Sequence, residues 1–163
     1  MTALKSGQIA PDFSLPDMGG ASFSLAEALT RGPVVAVFFK ISCPTCQYAL
    51  PFYERIYQAY GALAAAIVGI SQNHREDTAM FNKTFSITFP VLLDDTETYP
   101  ASNTYGLTNV PTVFWIGQDG EIEISSVGWD RKDFEAINVK MAGASLVIPA
   151  FRPGEDVPAF RAG

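Results

Sequence analysis

One histidine and two cysteines are all that this 163-residue chain offers to soft-metal or thiol chemistry. A tetrahedral Cys/His zinc site takes four ligands, so one chain cannot close it alone, and only a site shared between chains would remain. Two cysteines also exclude a disulfide-rich scaffold. Cationic residues are in deficit: 11 Lys and Arg stand against 17 Asp and Glu, a net charge of −6. No basic stripe is available to meet phosphates, so a nucleic-acid partner is not expected, nor is attraction to an anionic membrane surface. No apolar run approaches the ~18 residues of a membrane span, and residues 1–8 contain no apolar signal core. The expected address is therefore cytoplasmic, although a chain relieved of its leader would read the same way. No Gly-x-Gly-x-x-Gly fingerprint occurs, so no nucleotide cofactor is expected, and the ligand count above leaves no metal expected either. Internal repeats and low-complexity tracts are missing as well.

What is present suits one ordinary domain over 1–163. Apolar residues make up 48% of the chain and charged residues 17%, enough apolar material for a sizeable core at this length. Both cysteines fall in one stretch, Phe38-Phe39-Lys40-Ile41-Ser42-Cys43-Pro44-Thr45-Cys46-Gln47. A β-branched apolar run over 34–39 precedes them and reads as a strand covered on both faces. A helical apolar spacing follows them, through Leu50, Phe52, Tyr53, Ile56, Tyr57 and Tyr60, and stops at Gly61. The pair should therefore sit where a buried strand turns into a helix. A helix N-terminus has unpaired N–H groups and a partial positive charge. That setting should stabilise the thiolate of Cys43 and lower its pKa, and the thiolate is the reactive form. Pro44 suits the first helical position, where its missing N–H costs nothing. Cys46, within the first turn, is placed to close a disulfide after Cys43 has attacked. Pro51 lies inside the helix and should kink it; the plain alternative is a helix that ends near Leu50 and restarts.

The remaining pattern alternates. A short edge strand is expected over 9–15, ending at Pro16. Ser24-Leu25-Ala26-Glu27 has capping-box spacing and should open a short helix to about Leu29. A second buried strand is expected over 65–71, a helix over 75–85, a short strand over 90–94 and a weak helix over 96–105. Strands over 111–116 and 121–127 are joined by Gln118-Asp119-Gly120, a hairpin turn. Asp130 should cap a helix to about Ala142. The tail over 143–163 is punctuated by Pro and Gly and reads as irregular, with 144–148 either a strand or a strap. The order βαβαβ, a small helix, then ββα implies an α/β fold with parallel pairing first and an antiparallel edge later. Trp129, Phe134, Phe151 and Phe160 are assigned to core and tail packing rather than an interface.

Cys43-Pro44-Thr45-Cys46 at a strand–helix turn, Pro51 in the following helix and Val110-Pro111-Thr112 opening a strand together resemble the thioredoxin superfamily. Gly7-Gln-Ile-Ala-Pro-Asp-Phe-Ser-Leu-Pro-Asp17 resembles its redoxin branch, which includes thiol–disulfide oxidoreductases and the alkyl hydroperoxide reductase/thiol-specific antioxidant proteins. The likeness covers roughly residues 4–140. It implies a thioredoxin-like fold, a central mixed sheet flanked by helices with an N-terminal redoxin extension. It also implies a cis Pro111 facing the cysteines, with the Val110 backbone free to pair with an extended substrate; the residues alone leave cis and trans equally open.

The chain departs from the family in three places. Ser42 stands where thioredoxins usually have Trp. Val37 stands where a buried acid often assists the second cysteine, and Ala49 where a related branch has glutamate. The base for Cys46 is thus unassigned, and Lys40 and His74 are candidates for tuning the site. The implied reaction is thiol–disulfide exchange, with Cys43 attacking and Cys46 resolving. Its partners would be a disulfide-containing protein or small molecule and an external thiol electron donor. A cytoplasmic address favours reduction. The rival is a peroxiredoxin-like thiol peroxidase, built on Pro-x-x-x-Thr-x-x-Cys. Counting back from Cys46 places Cys43 and Phe39 at the Thr and Pro positions; counting back from Cys43 places Lys40 and Ala36 there. Neither frame fits. A third reading, a thioredoxin-like binding domain without activity, would be favoured by a missing cysteine, and both are present.

Overall fold

A computed structural model describes residues 2–163. Its centre is β3 (Val34–Phe39), six residues without a polar side chain, all of them buried. Successive side chains of a strand point to opposite faces, and here both faces are covered. Val35, Val37 and Phe39 enter one apolar layer, while Val34, Ala36 and Phe38 enter the other. Removing a Val, Ile, Leu or Phe side chain from water contributes roughly 1.5–3 kcal/mol, so an uninterrupted apolar strand is driven to the middle of the sheet.

The sheet has the order β5-β4-β3-β6-β7. β4 (Ala66–Ser71) and β5 (Val91–Leu93) run parallel to β3, while β6 (Thr112–Ile116) lies antiparallel on its other side and β7 (Ile122–Val127) follows at the edge. The mixed sheet expected from the order of elements is the one observed. Gly117 to Glu121 closes the β6–β7 hairpin, with Gly120 at φ +86° and the Asp119 carboxylate accepting the Glu121 N–H at 3.0 Å.

One layer is built by α2 (Pro44–Tyr60), α3 (Arg75–Phe85) and α5 (Arg131–Ala142). Tyr53, Phe81, Phe134 and Met141 pack there beside Trp115 and the fully buried Trp129. The opposite layer holds the N-terminal segment, α1 (Leu25–Leu29) and α4 (Pro100–Thr104), with Phe13, Leu25, Ala101 and Tyr105 against the sheet. α1 is capped as its spacing predicts, by the Ser24 hydroxyl on the Glu27 N–H at 3.3 Å; Asp130 caps α5 on the Asp133 N–H at 3.0 Å.

Several elements differ from the sequence expectation. The N-terminal strand is not 9–15: β1 (Ser14–Pro16) pairs antiparallel with β2 (Ser22–Ser24), and Ile9 makes an isolated bridge to Glu121. The Asp17 carboxylate organises the turn between them by accepting N–H groups from Gly19 and Ala21. α2, by contrast, runs through Pro51 as expected and does not end near Leu50. α4 is shorter than 96–105, because the buried Asp94 carboxylate at the end of β5 accepts the N–H groups of Ala101 and Ser102 and fixes where it begins. The stretch 144–148 is a strap without strand pairing. Its Ile148 carbonyl accepts from Asn138 Nδ2 at 2.8 Å, and its Ile148 N–H donates to the Tyr60 hydroxyl at 2.8 Å. The tail does contain one short strand, β9 (Phe160–Arg161), antiparallel to β8 (Trp129–Asp130).

A buried carboxylate joins the helical layer to the loop before β5. Glu54 in α2 is only 8% exposed, yet it accepts N–H groups from Thr88 (2.7 Å) and Phe89 (3.2 Å), the Thr88 hydroxyl (2.6 Å) and Gln58 Nε2 (2.6 Å). Stranding buried donors costs more than the net worth of the bonds themselves. Glu54→Ala should therefore lower the unfolding free energy by about 2–3 kcal/mol, as read by urea denaturation; an unchanged midpoint would show that the carboxylate does not hold the loop.

Candidate active site

The cysteine pair lies beyond the C-terminal end of β3. Cys43 is the N-cap of α2, with extended φ/ψ of −86°/115°, and Pro44 follows at the first helical position. The Cys43 sulfur accepts the Cys46 backbone N–H at 3.1 Å. It takes the place of the oxygen that usually caps a helix, and an N–H aimed at sulfur from a helix N-terminus favours negative charge on that atom. Cys43 is half-buried, whereas Cys46 is 0% exposed. Both are free thiols. Burial pushes the Cys46 thiol up, well above its ordinary value, and a hydrogen bond between the two thiols adds to this. Cys43 is therefore the more accessible residue of the pair, and Cys46 is sealed in the apolar layer.

The turn carrying the pair is fastened from three sides. Asn73 Oδ1 accepts the Ile41 N–H at 3.0 Å, Gln47 Nε2 donates to the Ile41 carbonyl at 2.9 Å, and the Lys40 carbonyl accepts the Cys43 N–H at 3.3 Å. Asn73 and Gln47 were not singled out from the sequence. The β3–β4 register contains the signal for Asn73: Phe39 lies opposite Ser71 in parallel strands, so the residues two beyond each stay abreast. Gln47 stands one turn into the helix it helps to begin.

β6 brings the third component. The Val110–Pro111 peptide bond is cis, and the Cys43 thiol donates to the Val110 carbonyl at 3.3 Å. Val110 O therefore meets the protonated sulfur, on a different contact from the Cys46 N–H. Thr45, buried within the motif, donates its hydroxyl to the Ala162 carbonyl at 2.6 Å. Cys43, Thr45, Cys46 and Val110 thus lie together at the end of the sheet.

The two tuning candidates do not reach the sulfurs with their charged ends. Lys40 is exposed and contributes its main chain. His74 is exposed at the start of α3, with Nδ1 3.4 Å from the Thr96 hydroxyl, in an open cleft of about 480 Å³ that Arg75, Asp94 and Asp95 also line. Ser42 is exposed and Val37 is buried in the apolar layer. Among the described residues, Cys43 is the one ionisable neighbour that raises Cys46 through charge. No cluster of three or more His, Cys, Asp or Glu side chains among the described residues is placed to hold a metal ion, and no described helix is long and apolar enough to cross a membrane.

The raised Cys46 thiol has a consequence for stability. Above the ordinary thiol value of 9.0, the unfolded chain sheds the proton that the folded chain retains. The unfolded state then binds fewer protons, so stability falls as pH rises. Buried Tyr53 and Tyr105, also pushed up by burial, act with the same sign. Reduced protein should lose stability as pH climbs past about 9, and Cys46→Ala should flatten the first part of that fall. A flat profile in the unsubstituted protein, by denaturant melts at pH 7 to 10, would contradict the burial argument.

Comparison with known proteins agrees with this geometry. Residues 6–125 match the AhpC/TSA family. The chain is 28% identical over 133 residues to the thiol-disulfide oxidoreductase ResA of Geobacillus thermodenitrificans, covering 81% of this chain and 75% of that protein. It superposes on a putative thiol:disulfide interchange protein DsbE from Chlorobium tepidum with a TM-score of 0.74 and 26% identity, over 87% of this chain and 99% of the other. Peroxidoxin BcpB from Mycobacterium tuberculosis superposes with a TM-score of 0.70 at 22% identity, over 88% and 99%, a likeness of fold. The sheet, the cysteine turn and the matched residues lead to one conclusion: the chain belongs to the AhpC/TSA family.

Proposed function

We propose that Cys43 is the attacking nucleophile and Cys46 the resolving thiol of a disulfide exchange that runs toward substrate reduction. The chain is a thiol–disulfide oxidoreductase, and the observation that carries the assignment of roles is the asymmetry of the pair. Cys43 caps a helix and is partly open; Cys46 is sealed beneath it.

The chemistry follows from that asymmetry. The Cys43 thiolate attacks one sulfur of a substrate disulfide; the substrate S–S bond breaks, and the departing sulfur leaves as a thiolate and takes up a proton. A mixed disulfide now joins Cys43 to the substrate. Cys46 loses its proton and attacks the Cys43 sulfur, the mixed disulfide breaks, and the second substrate sulfur leaves. The product is reduced substrate and a Cys43–Cys46 disulfide, which an external dithiol must reduce before another cycle. Pro44 and Thr45 shape the helix start between the cysteines, while Val110 and Pro111 form the wall opposite Cys43. Lys40 tunes the turn through its carbonyl rather than its ammonium group. Reduction of protein or small-molecule disulfides in the cytoplasm belongs to the same proposal, because thiol pools there keep such a pair supplied with electrons.

Burial makes deprotonation of Cys46 the demanding part of this sequence. Thiolate supply then limits resolution, and the rate of mixed-disulfide resolution should rise with pH. Cys46→Ser should accumulate mixed disulfides through Cys43, detectable by mass spectrometry, while Cys43→Ser should form none. Equal trapping by both variants would overturn the roles. Peroxide consumption is the competing activity within this family. Measured side by side on one sample, disulfide reduction should exceed peroxide turnover, because neither cysteine frame supplies the Pro and Thr of a peroxide-binding loop. Rapid peroxide turnover without disulfide reduction would reverse the assignment.

A further inference from the structure

The last four residues described, 160–163, lie across the site just assigned. Residues 157–159 bring them there. The Val157 and Pro158 carbonyls accept from Arg131 Nη1 and Trp129 Nε1, and the Ala159 carbonyl accepts the Arg131 N–H at 3.0 Å. β9 then pairs with β8 in the register Trp129↔Arg161 and Asp130↔Phe160. From that point the segment touches the cysteine site at several places. The Arg161 guanidinium lies 4.6 Å over the ring of Tyr48, a residue of α2. The Ala162 carbonyl takes the Thr45 hydroxyl, from between the two cysteines. Asn109 Nδ2 donates to the Gly163 main-chain oxygen at 3.3 Å. Gly163 presses on the Val110 backbone so closely that a Cβ would fall inside the Val110 carbonyl, the same oxygen that receives the Cys43 thiol. Gly128, at φ +78°, leaves room for the Arg161 carbonyl where any side chain would collide.

We propose that residues 160–163 sit in the groove that receives the substrate's extended segment, so that the chain screens its own Cys43 until this segment lifts away. The inference rests on the exchange reading above for the identity of the incoming ligand. The groove's chemistry follows from what now fills it: an extended strand, tolerating only a very small residue beside Val110, with a cation two positions earlier over Tyr48. A peptide disulfide of that character takes the place of the tail. The tail is held loosely enough to yield. Phe160 is 58% exposed, and Ala162 and Gly163 are exposed as well. Its contacts are a two-residue ladder, two side-chain hydrogen bonds and one cation–π contact, whereas Val157, at the start of the approach, is buried in the core.

Two variants test this. A chain shortened to Ala159 keeps every contact that anchors 157–159 and removes the occupant. Gly163→Val in the 163-residue chain keeps the length and forces the segment off Val110. Two readouts are taken from the reduced proteins: the rate at which a bulky maleimide labels Cys43, and the rate of exchange with an unstructured peptide carrying an internal disulfide. A segment seated about nine-tenths of the time slows both about tenfold, so both variants should react about tenfold faster than the unsubstituted chain, with unchanged thermal melting. Faster labelling without peptide exchange in any of the three proteins would remove the exchange reading and leave the screening in place. Unchanged labelling and exchange in two folded variants would overturn the proposal.

Discussion

The site depends on the burial of β3 between a parallel and an antiparallel neighbour. A six-residue strand with no polar side chain has one stable place, the middle of the sheet, and that place fixes what stands beside its end. The parallel β4 delivers Asn73 to the Ile41 N–H. The antiparallel β6 starts level with the same end, and so the peptide that precedes it, Val110–Pro111, arrives opposite Cys43. Neither contact would survive a slip of register, because a one-residue shift turns every core side chain of β3 to the wrong face. The apolar energy of the core therefore sets the positions of polar groups that contribute little to that core themselves.

Two sulfurs three residues apart on one helix turn acquire opposite characters from this placement. At the cap position, Cys43 accepts an N–H and donates a hydrogen bond to the Val110 carbonyl. One turn inward, Cys46 points into an apolar layer, where a charge loses hydration without gaining a partner. With Val37 in the place of a buried acid, proton removal from Cys46 has no carboxylate to assist it. Under the roles proposed above, attack by Cys43 is favoured and resolution by Cys46 is slow, an imbalance that lengthens the life of any mixed disulfide. Such a lifetime makes what lies beside the site more important than it would be in a fast-resolving pair.

Much of this was legible before any coordinates. The strand–turn–helix around Cys43, the parallel-then-antiparallel order, the helix caps at Ser24 and Asp130, and the hairpin at Asp119-Gly120 all follow from local chemistry, and local chemistry is what a single sequence records. The misses share a different cause. Glu54 looks like any charge on an amphipathic helix, and only the loop at Thr88–Phe89 makes it a buried acceptor. Asn73 and Gln47 matter because of strand register and the fold of a three-residue turn. β9 is two residues long and exists by virtue of its partner, so no periodicity announces it. Phe160, assigned to packing by its type, stands exposed on that strand, while Trp129, Phe134 and part of Phe151 join the aromatic cluster on the helical layer. The prolines and glycines that made the tail read as irregular describe its backbone correctly without saying where it goes.

Val110 links the two halves of the mechanism. Its carbonyl is the partner of the Cys43 thiol and also the surface against which Gly163 rests. A group that occupies the groove therefore adjoins the oxygen that accepts the Cys43 thiol, and Thr45 binds the same segment through the Ala162 carbonyl. Binding and activation are in this way neighbours at one peptide unit. An incoming strand that engages Val110 main-chain atoms meets the oxygen bonded to the Cys43 thiol as its own disulfide draws near. A helix cap alone would raise reactivity toward every disulfide alike; a cap whose sulfur is also bonded to the groove wall ties that reactivity to whatever fills the groove.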